Sequence, residues 1–85
     1  MVKSDLAKEY FVYAIKSGKD LRIYVGFCSD LDRRLKEHDS GKTKSTRYYR
    51  PWKIIHVEKF KTRLEASERE MQLKSGCGKE FLKSL

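Results

Sequence analysis

Two tyrosines, an arginine, a histidine and a glutamate stand at intervals along this chain: Tyr13, Tyr24, Arg34, His38 and Glu70. Side chains of these types, brought together, can break a phosphodiester bond. That reaction needs a group that orients or deprotonates a water and a fixed cation for the charge on phosphorus. It also needs an anionic ligand for a divalent metal and a frame that aligns the parts. A phenol or imidazole serves the first need, a guanidinium the second and a carboxylate the third. No member of the set is diagnostic alone; the signal is their joint placement.

The elements that must position them can be read from local patterning. Tyr10 to Ile15 and Leu21 to Phe27 are short runs rich in aromatic and β-branched residues. The turn formers Ser17-Gly18-Lys19-Asp20 lie between them, which predicts a β-hairpin. With those four residues as the loop, Lys16 pairs with Leu21 and Tyr13 falls opposite Tyr24, both phenols on one face. Ser29 is the expected cap of a first helix, with Asp32 as its acidic capping partner. Glycine at position 41 ends that helix. At 3.6 residues per turn Leu31, Leu35 and His38 share a face with Arg34 on its flank, while Arg33 points away.

Pro51 opens a third strand, Trp52 to Phe60. Thr62 and Glu65 form a capping box for a second helix that runs to about Ser75, and Gly76-Cys77-Gly78 is expected to break it. Lys79 to Leu85 would add a helical turn or two. On the second helix Ala66, Glu70 and Leu73 fall within an arc of roughly 60°, and Glu68 points to nearly the opposite side. A carboxylate on an apolar face is costly unless it is paired or binds metal, so Glu70 is the functional acid and Glu68 a solvated one. The expected fold is α/β (α+β) with one thin core: a small, mostly antiparallel three-stranded sheet flanked by helices, spanning residues 1–85 as a single domain with its core at about 9–84.

Composition narrows the partners. Twenty Lys and Arg against 12 Asp and Glu give a net charge of +8, a footprint that suits polyanions. The loop from Gly41 to Arg50 mixes cations with rings. Lys42, Lys44, Arg47 and Arg50 would meet phosphates, and Tyr48 and Tyr49 would stack on bases. Cys28 and Cys77 lie far apart without a CxxC, as expected of reduced thiols rather than a zinc site. Residues 1–9 hold no apolar secretory core and no apolar run approaches about 18 residues, so a soluble, cytoplasmic protein without a membrane span is expected.

The set and its order resemble the GIY-YIG nuclease superfamily, named for two tripeptides on neighbouring strands. Here they are Phe11-Val12-Tyr13 and Tyr24-Val25-Gly26, with ten residues between the tyrosines. Arg34 follows ten residues beyond Tyr24, His38 completes Arg-x-x-x-His, and Glu70 sits in Ala66-x-x-x-Glu70-x-x-x-Lys74. The stretches Tyr24 to His38 and Arg50-Pro51-Trp52-Lys53 are the most specific. Within the superfamily the chain looks like the small single-domain bacterial proteins similar to the nuclease domain of the excinuclease C subunit. It departs from the name at Phe11, which replaces a glycine.

The resemblance implies an endonuclease that uses Mg²⁺ or Mn²⁺ on DNA, in repair or recombination. Tyr13 or Tyr24 would activate the water and Arg34 would stabilise the phosphate. His38 would position a water, shuttle a proton or hold a tyrosine. Glu70 would bind the metal, and Lys74 would contact nucleic acid. In bland terms, Arg34 would merely pair with Glu37 or Asp30, and Glu70 with Arg34 or Lys74. Gly26 would let its strand pass close beneath the helix, Trp52 would be core, and His56 has no assigned role. With no room for a separate specificity domain, the chain would cut with low specificity, read a DNA shape or borrow a protein partner. The alternatives are a nucleic-acid-binding module without cleavage and a structural interaction domain.

Overall fold

A computed structural model of the chain describes residues 9–85. The expectation about a secretory core concerns residues 1–8, which lie outside that range, together with Glu9. The order is β1 (Tyr10–Ser17), β2 (Ile23–Cys28), α1 (Leu31–Ser40), a 3₁₀ turn (Arg47–Tyr49), β3 (Trp52–Phe60), α2 (Arg63–Lys74) and α3 (Gly76–Lys83). The three strands form one antiparallel sheet in the order β2-β1-β3, so the first strand is central. The expected α+β architecture is the observed one.

Val12 to Ile15 are all buried, because β1 is covered on both faces. Alternate residues of a strand project to opposite sides, and the chain uses both. On one side Val12, Ala14 and Val25 pack with Ala66, Leu73 and Leu82 from α2 and α3. On the other Tyr13, Ile15 and Trp52 pack with Tyr24, Leu31 and Leu35. The single thin core expected from composition is therefore two clusters, one on each face of the sheet. A register shift between Ala14 and Ile15 lets β3 serve both: Ile54 pairs with Ile15, and His56 with Ala14. The extra residue, Ile55, bulges the strand and re-aims the side chains beyond it.

Three boundaries depart from the sequence reading. The hairpin register is two residues away from the expected one: Tyr13 pairs with Gly26, and Tyr24 with Ile15. The reason is local. Ser17 stays in β1, its N–H donating to Arg22 O at 2.9 Å, while its Oγ accepts from the backbone of Lys19 at 3.0 Å and Asp20 at 3.3 Å. This closes a wider loop and leaves Leu21 outside β2. A shift of two preserves the faces, so the phenols remain on one side as diagonal neighbours with ring centroids 6.5 Å apart. The cap of α1 is Asp30 rather than Ser29, its carboxylate accepting from Arg33 N at 3.1 Å. Gly41, at φ 85°, ends α1 in the left-handed conformation as expected.

Finally, α2 is broken by Ser75 alone, in extended conformation, and both Gly76 and Gly78 are helical. Gly78 has a packing reason. A Cβ there would overlap Gln72 O and the Leu73 backbone, so glycine lets α3 fold back against α2. Thr62 caps α2 as expected, its Oγ1 accepting from Glu65 N at 3.2 Å, and its hydroxyl donates to Glu65 Oε1 at 3.1 Å. On the α2 side of the sheet His56 Nε2 meets Glu58 Oε2 at 2.6 Å, and Glu58 accepts two bonds from Arg69 at 2.8 and 2.9 Å. That network ties β3 to α2 and accounts for His56. The pull of Arg69 holds the Glu58 carboxyl below the usual range.

Candidate active site

The face of the sheet under α1 gathers four of the five chemistry-bearing side chains. Tyr13 comes from the middle of β1, Tyr24 from β2, and Arg34 and His38 from successive turns of α1. Gly26 explains how the phenol of Tyr13 gets there. It is the register partner of Tyr13, and a Cβ at Gly26 would lie 2.7 Å from Tyr13 Oη and 2.9 Å from Cζ. The ring therefore lies across β2 through the space a side chain would fill. The glycine makes room for a tyrosine rather than for the helix.

The hydroxyl so placed meets a fully buried histidine. Tyr13 Oη is 2.9 Å from His38 Nε2, and His38 Nδ1 is 2.8 Å from Thr46 Oγ1. The Thr46 hydroxyl donates onward to Thr43 O at 3.4 Å. Arg34, in reach of the Tyr13 oxygen, can only donate to it, so the proton of the neutral phenol goes to His38 Nε2 and Nδ1–H donates to Thr46 Oγ1. The network thus assigns the Nδ1–H tautomer of a neutral imidazole. Burial, and then the charge of Arg34, push the His38 imidazolium pKa below its ordinary value, which keeps the ring neutral near pH 7. Burial pushes the Tyr13 phenol up to about 12, against the opposing pull of the Arg34 guanidinium in hydrogen-bonding reach. Tyr13 is thus a held phenol, and the half-buried Tyr24 is the more accessible of the two. The Tyr24 ring lies edge-on to His38 at 5.0 Å and to Trp52 at 6.4 Å.

Arg34 stands between the phenol of Tyr13 and Glu37, whose Oε1 it meets at 2.9 Å. The bond to Tyr13 raises its own pKa further, so the cation is permanent. Arg33 is 76% exposed and reaches Glu37 Oε2 at 3.3 Å. The pairing with Glu37 expected of a surface arginine thus exists alongside the contact with Tyr13.

The fifth residue lies elsewhere. Glu70 rides on α2, whose Ala66 and Leu73 pack on the opposite face, and its half-buried carboxylate pairs with Lys74 at 3.1 Å. Helix α2 crosses β1 and β2, and a cavity at the β2 edge is lined by both Tyr24 and Lys74. Among the described residues no group of three or more His, Cys, Asp or Glu side chains could enclose a metal. The donor set fits instead an ion that keeps most of its water and takes one carboxylate, as Mg²⁺ does.

In the basic loop, Lys42, Lys44 and Tyr48 are exposed, whereas their neighbours have structural partners. The Arg22 guanidinium covers Tyr49 at 3.9 Å. Arg50 donates to Arg47 O at 2.8 Å and Asp39 O at 3.4 Å, tying the loop to the end of α1. Arg47 lies 5.6 Å from the Tyr48 ring, with its Nε buried and unpartnered. Sequence reasoning missed Thr46, which is 1% exposed, bonds His38 through its hydroxyl and accepts from Trp52 Nε1 at 2.9 Å through its backbone carbonyl. Its hydroxyl does not single it out in the sequence, because Thr43 and Ser45 stand in the same loop. Among the described residues no helix is long and apolar enough to cross a membrane.

The family model described as the GIY-YIG catalytic domain matches residues 9–80. The UPF0213 protein lwe0147 of Listeria welshimeri is 44% identical over 69 residues, covering 80% of this chain and 76% of that protein. The UPF0213 protein NP_0776A of Natronomonas pharaonis is 35% identical over 71 residues, covering 82% of each. The solution structure of the UPF0213 protein BH0048 of Bacillus halodurans superposes with a TM-score of 0.56 at 37% identity, covering 89% of this chain and 83% of that one. The family match spans the strands and helix that carry Tyr13, Tyr24, Arg34 and His38, and the chain belongs to the GIY-YIG catalytic-domain family.

Proposed function

We propose that this protein is a metal-dependent endonuclease that hydrolyses phosphodiester bonds of DNA, in repair or recombination. The observation that carries the reading is the buried chain Thr46–His38–Tyr13 beside the Arg34 guanidinium, with the Tyr24 phenol next to it. A purely structural tyrosine–histidine pair has no need of a permanent cation at the same point.

In this reading Tyr24 accepts a hydrogen bond from the attacking water and aims its lone pair at phosphorus; as the new P–O bond forms, the bond from phosphorus to the 3′-oxygen breaks, and the water's proton leaves to solvent, which protonates the departing oxygen. Arg34 holds the charge that builds on the phosphoryl oxygens through its forked donors. Tyr13 keeps its proton, donates it to neutral His38, and presents its oxygen to Arg34, so that the guanidinium is fixed before substrate arrives. Thr46 sets the tautomer that makes this possible. Glu70 would hold a divalent ion, which would supply Lewis acidity toward the phosphate. Lys42, Lys44 and Tyr48 contact the strand outside the site.

The test is incubation with single-stranded, duplex, flapped and branched DNA in Mg²⁺, Mn²⁺ or EDTA, beside Glu70→Ala, Tyr24→Phe and Arg34→Ala. Metal-dependent cutting that falls at least about a hundredfold in each variant, by analogy with loss of one transition-state donor, is expected. Cutting that survives in EDTA, or in all three variants, would overturn the assignment.

A further inference from the structure

The cavity at the β2 edge has a composition that the reading above leaves unused. It encloses about 450 Å³ between the hairpin, residues 21–25, and the α2–α3 corner, residues 73–83. Its floor is apolar: Val25, Leu73 and Leu82 are 7%, 1% and 2% exposed. Its rim carries Arg22, Lys74, Lys79 and Lys83, and among the described residues no carboxylate lines it. Lys79 and Lys83, one turn apart on α3, form no ion pair among the described residues. Lys74 holds Glu70, and Arg22 lies 3.6 Å from Asp20. Leu21, at the lip, is 80% exposed, although a leucine in a hairpin loop has no local reason to be there.

An apolar slot ringed by cations suits a ligand with an apolar body and an anionic edge. A nucleotide has that form, but duplex DNA keeps its bases stacked and paired, out of reach of such a slot. We infer that this cavity receives the base of an unpaired nucleotide, with Lys79 and Lys83 on the flanking phosphates and Leu21 against the base. The proposal deepens the endonuclease reading and rests on it for the identity of the polymer as DNA. Because Tyr24 lines the same cavity and Lys74 joins it to Glu70, a strand anchored there runs beside the proposed catalytic groups. The substrate class is then DNA with an extrahelical or single-stranded nucleotide.

Binding is measured by fluorescence anisotropy in EDTA, where no cutting intervenes. The probes are a short duplex, the same duplex with one bulged nucleotide, and the same bulge with an abasic residue. The wild type should bind the bulged base roughly tenfold more tightly than its abasic counterpart, the scale of one base packed on a protein surface. Leu21→Ser should bring that ratio toward one and leave the salt dependence unchanged. Lys79→Gln with Lys83→Gln should weaken both probes and lower the salt slope by about two, keeping the ratio. All three positions are exposed, so the fold is not at issue. Equal affinity for base and abasic probes overturns the inference, as does a ratio that Leu21→Ser leaves intact. Cutting in Mg²⁺ is scored separately. Base preference without cutting sinks the nuclease and keeps the cavity; cutting without preference does the reverse.

Discussion

Replacing Gly26 by alanine tests the geometry of the site at its tightest point. The added Cβ would lie 2.7 Å from Tyr13 Oη, 2.9 Å from Tyr13 Cζ and 3.2 Å from Tyr24 Cε1. The ring of Tyr13 must move, yet its hydroxyl is held 2.9 Å from His38 Nε2 in a buried network. Overpacking of this kind costs about 1–3 kcal/mol. At roughly 4–8 °C per kcal/mol for a domain of this size, the melting point should fall by about 4–24 °C. Tyr13→Phe alone leaves buried His38 Nε2 without its donor, a loss of about 1–3 kcal/mol.

The two effects should not add. In Gly26→Ala the Tyr13–His38 bond is already strained or broken, and deleting the hydroxyl removes the closest of the three contacts. The Cζ contact remains, so relief is partial. The double variant should therefore be more stable than the sum of the singles by at least about 1 kcal/mol. Urea unfolding of the four proteins measures this through midpoints and slopes. Additivity within about 0.5 kcal/mol, the level found for sites that do not touch, would refute the claim that Gly26 exists to house the Tyr13 phenol.

Thr46→Val keeps the shape and removes the acceptor of His38 Nδ1–H. It should cost about 1–3 kcal/mol, and nitrogen NMR of the imidazole should show the Nδ1–H form losing its dominance. On acidification Glu58 should matter. Arg69 depresses its folded pKa, so the stabilisation is full above the ordinary value of 4.5 and is lost as pH falls below it. His38, buried neutral, adds loss of the same sign. Arg69→Gln should flatten the fall of the urea midpoint below pH 4.5, and an unchanged profile would mean that the Glu58 pair carries none of it. The two glycines of α3 should part company. Gly78→Ala, blocked by backbone of α2, should destabilise by about 3 kcal/mol or more. Gly76→Ala, with nothing within 4 Å of its Cβ, should be neutral or gain up to about 1 kcal/mol. Thermal melts of both check this.

The amino-acid sequence by itself determined the local elements and most of their faces. The aromatic and β-branched run Tyr10–Ile15, the turn residues after it, glycine at 41 and the Thr62–Glu65 box act over a few residues, so strands, hairpin and helices are legible without tertiary knowledge. Helical periodicity likewise separates Arg34 from Arg33, and period-two alternation puts both tyrosines on one side even with the register displaced by two. Only the tertiary structure decided what meets across the chain. The hairpin register depends on Ser17 bonding its own loop, and the folding of α3 back on α2 depends on Gly78 being pressed against Leu73. Thr46 acquires its place only when the loop closes over His38. Covering β1 on both faces makes two cores, and it puts Glu70 on the helix opposite the other four. Contacts between residues distant in sequence are chosen by packing and burial, which no local pattern encodes.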